Sequence, residues 1–138
     1  MIEHGICNSF KLELLKGTIS ITDRYMLALY DGAADLGKHT SEYTVAHEVS
    51  GMGYVLGGRT MTGMKVEAQG DDAGMTWDEV AWPNTTIRAR AGLIYNADRA
   101  NLAVAVVDFK RDVASTNGPF TVSFNKPLII LKNGESQS

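Results

Sequence analysis

A second cysteine is missing from this sequence. Cys7 stands alone in 138 residues, so no intrachain disulfide can form, and the count neither demands nor excludes an oxidising compartment. A surplus of one charge is missing too: 13 Lys and Arg against 16 Asp and Glu leave −3 without long runs, which gives no electrostatic footprint for nucleic acid or an anionic membrane. No apolar run approaches the roughly 20 residues that span a bilayer. The start, MIEHGICNSFKLELLKG, carries Glu3 and no uninterrupted apolar core, so a secretory signal peptide is not expected and synthesis in the cytoplasm is. No linker divides the chain, and 44% hydrophobic with 21% charged residues is ordinary globular composition, so one domain over 1–138 is expected. The polar end, Lys132 to Ser138, is expected to be a frayed, flexible tail.

What is present is β patterning. From Thr86 to Phe109 the chain reads as two strands joined by a polar loop. In the first arm Ile87, Ala89, Ala91, Leu93 and Tyr95 alternate with Arg88, Arg90 and Gly92, the period of a strand with one buried face. The second arm, Leu102 to Val107, is apolar on both faces, so something must cover each of them, and it is expected to be the central strand.

Elsewhere Arg24 to Tyr30 reads as a strand ended by Asp31-Gly32, Tyr43 to Val49 as another, Arg59 to Ala68 as a half-buried strand, and Met75 to Val80 as a shorter one stopped by Trp82-Pro83-Asn84. Gln69 to Gly74 and Ser115 to Pro119 are turn clusters. Phe120, Val122 and Phe124 alternate with Thr121, Ser123 and Asn125, and Leu128 to Leu131 is a last buried run. Near the start, Ser9 as a cap and Gly17 as a stop frame a short helix, with an extra strand as the competing reading. The expectation is therefore an all-β antiparallel sandwich or jelly-roll of about eight short strands, plus that N-terminal element.

Chemistry has little to stand on. His4, His39 and His47 lie in different segments without ligand spacing, so no metal site is expected. Asp71-Asp72 with Asp78 and Glu79 lacks the alternating pattern of a calcium loop and reads as turn chemistry. The glycines of GMGYVLGG have the wrong spacing for a phosphate or dinucleotide loop and read as structural. No catalytic residue, no cofactor and no enzymatic activity is expected. Trp77, Trp82, Tyr43 and Tyr54 are the residues from which a sugar-stacking platform would be built, the basis of a competing reading as a carbohydrate-binding or adhesion module; at 8% aromatic, core filling is the default.

Phe10-Lys11, Leu14-Leu15, Gly17, Leu27 to Tyr30, Thr40, Tyr43, Glu48-Val49, Gly51, Gly53-Tyr54, Gly57-Gly58, Trp82, Ile87, Ala89-Arg90, Leu93 to Asn96, Val104, Val106, Asp108-Phe109 and Ser115 to Gly118 form a familiar string. Over roughly Phe10 to Phe124 it resembles small virion structural proteins of tailed bacteriophages. The resemblance implies capsid decoration, or cement, with head-tail or tail-associated structure as alternatives. It implies the capsid surface as location, the major capsid protein and copies of itself (homodimer or homotrimer) as partners, and no catalytic residues. The chain departs from the pattern where members often carry glycine after Asp108-Phe109: Lys110-Arg111 follow here.

If Tyr95 pairs opposite Leu102, then Arg88, Arg90, Gly92 and Ile94 share a face with Ala103, Ala105, Val107 and Phe109. That face is the candidate interface, packed against a second subunit or the N-terminal segment. The alternative is that it is an inner face of the domain's own sheet packing.

Overall fold

The computed structural model describes residues 1–124 and 128–131. Its elements, in chain order, are β1 (Gly5–Ile6), α1 (Asn8–Lys16), β2 (Tyr25–Tyr30), β3 (Arg59–Thr60), β4 (Lys65–Gln69), β5 (Asp72–Thr76), β6 (Val80–Thr85), β7 (Arg88–Asn96), β8 (Leu102–Ala114), β9 (Gly118–Val122) and β10 (Leu128–Leu131). All strand pairs are antiparallel, in a five-stranded sheet ordered β1-β8-β7-β2-β3, a three-stranded sheet β10-β5-β4 and a two-stranded ribbon β6-β9. The protein is thus mostly β, as the alternation in the sequence requires.

The apolar run in β8 has both faces covered. Val104 and Ala105 lie in a core cluster with Ile6, Phe10, Leu27, Met75, Trp82 and Phe120, drawn from β1, α1, β2, β5, β6 and β9. Ala103 and Val106 lie in a second cluster with Cys7, Tyr30, Ala34, Leu36 and Tyr95, where the long connection after β2 packs on the opposite side. The central strand of the sheet is nevertheless β7, not β8: β8 has only the two-residue β1 outside it.

The helix is real, and Gly17 closes it in the left-handed region with φ 75, its N–H returning to Glu13 and Leu14. Ser9 is not its cap. It sits inside the first turn and donates to Ala103 O at 3.0 Å, fastening the helix to β8, while the cap position is Cys7, whose side chain makes no capping bond to the helix. Cys7 itself is fully buried, and burial pushes its thiol up to about 12.

Four strand expectations change. Tyr43 to Val49 is irregular and joins no strand ladder, bridging to β2 at Glu48 opposite Tyr30, because the chain turns at His47 with φ 63. The run Arg59 to Ala68 splits at Gly63 (φ 70) into β3 and β4, which belong to different sheets. Met75 to Val80 divides between β5 and β6. Pro83 does not stop β6, since β6 has a partner on one edge alone and needs no ladder donor on the other. The expected tail, Lys132 to Ser138, lies outside the described residues.

One polar cluster ties the chain at the end of β7. Asn96 is fully buried and donates to Asp23 Oδ2 at 2.9 Å, and Arg99 Nε reaches the same oxygen at 3.0 Å. The Arg99 guanidinium, with help from Asn96 and the Ser20 N–H, holds the Asp23 carboxyl down at about 2.

Candidate interface surfaces

The β7–β8 pair carries the residues singled out from the sequence, in a register one step from the expected one. Tyr95 pairs with Ala103 and Asn96 with Leu102, and a shift between Ile94 and Tyr95 adds a second step, placing Ile94 opposite Ala105 where Ala103 was expected. One such irregularity moves a side chain to the other face of the sheet. Ile94 and Ala105 are therefore in one core cluster and Ala103 in the other, all three at 0% exposure, enclosed by the chain's own residues. Val107 and Phe109 are half-buried against the first cluster, Phe109 with its ring 6.2 Å from Phe120. Arg88 is exposed. Arg90 is half-buried, its Nε 3.7 Å from Asp108 Oδ1 and without a hydrogen bond. The structure thus separates the seven residues: the N-terminal segment and core cover the apolar ones, and the two arginines mark the outward part.

β8 continues past Phe109 through a kink. Asp108 pairs with Ala91 and Val113 with Ala89, so four residues of β8 oppose one of β7. Lys110 takes φ 67 there, held by its N–H to Asp108 Oδ1 at 2.7 Å. This is the place where the resemblance leads one to expect glycine, and the backbone has the left-handed conformation that glycine adopts most readily.

The surface that sequence reasoning missed is the connection between β2 and β3, residues 31–58. Its anchor is Glu48, whose carboxylate accepts from the hydroxyls of Tyr43 and Tyr54 and from Gly57 N at 2.8 Å. Tyr54 in turn accepts the Leu29 N–H at 3.0 Å, Tyr95 donates to Gly57 O at 2.7 Å, and Tyr30 donates to Thr44 O at 2.6 Å. Tyr43 stacks on Tyr95 with ring centroids 4.7 Å apart. Burial and the neighbouring carboxylate drive the phenols of Tyr30, Tyr43 and Tyr54 well above the ordinary tyrosine range, so all three stay protonated donors. Gly58 (φ 82) lies so close to β2 that a Cβ there would run into Leu27 O. The connection is stapled to the sheet, yet Val45, Met52, Val55 and Leu56 on it point outward, Val55 at 75% exposure. No sequence pattern announced this: the Glu48 bonds are local but follow no helical or strand period, and the bonds that fasten the connection to the sheet, Tyr54 to Leu29 and Tyr95 to Gly57, join residues far apart.

The aromatic platform does not assemble. Trp77 and Trp82 are 5% and 2% exposed, the first against Tyr25 and Phe124, the second against Tyr54 and Phe120. Tyr43 and Tyr54 are committed to Glu48. Among the described residues no group of three or more His, Cys, Asp or Glu side chains converges to hold a metal, and no helix is long and apolar enough to cross a membrane. Compared with family models, curated proteins and solved structures, the chain matches none.

Proposed function

We propose that this chain is a non-enzymatic structural protein of a bacteriophage particle, a capsid decoration protein that stabilises the head by binding the major capsid protein. The resemblance in the sequence motivates the reading. The observation that carries it is the stapled connection with Val45, Met52, Val55 and Leu56 each exposed on it. Large apolar side chains left in water on an ordered segment mark a contact surface. Because Glu48 already fixes that segment, docking it costs little ordering entropy. The three antiparallel sheets are read as a sandwich-like scaffold behind this surface. The test is a density map of the intact particle, with mass spectrometry of purified particles beside it. The chain is expected on the outer surface of the head with residues 45–56 against capsid subunits; its absence from purified particles overturns the reading.

A further inference from the structure

We infer that the outer edge of β4 pairs with β4 of a second copy of this chain, antiparallel, about a two-fold axis at Val66. The inference stands on the geometry of the edge, whether or not the particle reading holds.

β4 ends its sheet: its inner edge pairs with β5 from Lys65 opposite Thr76 to Gln69 opposite Asp72, and no described residue pairs with its outer edge. The two strands are joined by Gly70-Asp71, with Gly70 at φ 65 in the first central position, the residue a type II′ turn asks for. In such a two-residue hairpin the flanking pair, Gln69 and Asp72, exchanges both backbone hydrogen bonds. Alternation along the ladder then turns the N–H and C=O of Lys65 and Glu67 toward β5 and those of Val66 and Ala68 outward. Lys65, Val66, Glu67 and Ala68 are all exposed. An edge of this kind is a template for another strand. The other edges are blunted: β1 and β3 have two residues each, β6 and β9 contain Pro83 and Pro119, and β10 lies beside β1.

Charge selects the occupant and the register. Two copies paired with Val66 opposite Val66 bring their outward backbone groups together and place Lys65 opposite the partner's Glu67, twice by symmetry. These are the non-hydrogen-bonded positions, where opposed side chains come closest. The next hydrogen-bonding register in one direction sets Lys65 against Lys65, and in the other Glu67 against Glu67, like charges directly opposed. A strand carrying Lys-Val-Glu is therefore complementary to itself in one register. On the other face, Val66 is 52% exposed and lines the mouth of an open apolar cavity of about 230 Å³ with Phe10, Leu14, Ile21 and Met64. The two-fold axis brings the partner's Val66 to that mouth, so the same contact covers apolar surface of both copies.

The test is sedimentation of the full chain and of two exposed charge reversals, K65E and E67K, singly and mixed. The wild type is expected to dimerise with concentration. Each reversal alone opposes like charges and weakens self-association at least tenfold, whereas an equimolar mixture regains it, because K65E presents two acids to the two bases of E67K. V66P, which removes the outward N–H and the apolar side chain of the contact but no ladder bond to β5, is expected to keep the wild-type circular dichroism and remain a monomer. A monomeric wild type at millimolar concentration, single reversals that associate like the wild type, or a mixture that stays monomeric would each overturn the inference.

Discussion

Tyr54 joins Glu48 to Leu29: its hydroxyl donates to the carboxylate of Glu48 and accepts the backbone N–H of Leu29, so one side chain fastens the 31–58 connection to β2. Replacing Tyr54 by Phe leaves both partners without that bond, and Glu48→Ala leaves two phenols and an amide without an acceptor. Losses of about 1–3 kcal/mol are expected for each, since half-emptied polar networks cost more than a single bond is worth. Denaturant midpoints measure the loss, and hydrogen exchange locates it: amides from 43 to 57 lose protection first. Uniform loss across β7 and β8 would show that the staple is not local.

Alkali should act on the same cluster. The phenols of Tyr30, Tyr43 and Tyr54 are raised well above the ordinary tyrosine value of about 10, and that of Tyr25 is pushed to about 12 by burial. Groups with folded pKa values above their unfolded ones favour the folded state fully below the unfolded value and lose that contribution as pH climbs toward the folded value. Stability is expected to fall steadily from pH 10 upward, and the Tyr54→Phe variant to show a shallower fall. A thermal midpoint flat from pH 9 to 12 would contradict the burial of these hydroxyls.

Acid should act at the other end of the sheet. Asp23, held at about 2 against 3.8 for a free aspartate, stabilises the fold above 3.8 and ceases to do so as pH drops toward 2. The fall is expected to be weaker in Asp23→Asn, and weaker in high salt, since the Arg99 side chain is 47% exposed. Identical acid profiles for wild type and variant would remove Asp23 from the account.

Two backbone positions predict opposite signs. Lys110 at φ 67 is strained relative to glycine, and Lys110→Gly is expected to stabilise by about 0.5–1 kcal/mol while keeping the N–H bond to Asp108. At Gly58 the added methyl of Gly58→Ala meets Leu27 O, and a loss of at least about 2 kcal/mol is expected. Unfolding midpoints of the pair check both.

The strands legible in the sequence were those whose local pattern and long-range packing agree. Arg24 to Tyr30 gave β2, and Phe120 with Val122 gave the buried face of β9, because alternation and flanking turns say the same thing there. Tyr43 to Val49 has the composition of a strand, but its Tyr43 and Glu48 are satisfied by side-chain bonds, and only the folded chain brings Tyr54 to them. The hairpin was legible as a hairpin. Its register was not, since the irregularity at Ile94–Tyr95 leaves no letter behind, and with the register went the face assigned to Ala103. The exposed apolar connection and the self-complementary edge of β4 depend on which neighbours are absent, and a local pattern does not encode that.

Cys7 turns the fold into its own reporter. A thiol reagent needs the thiolate and a path to it, and Cys7 has neither while its backbone N–H is bonded to Val104 O and its side chain is sealed beneath the 31–58 connection. With one such group per chain, the rate of labelling counts openings of the seam between the helix and β8, without any probe having to be introduced.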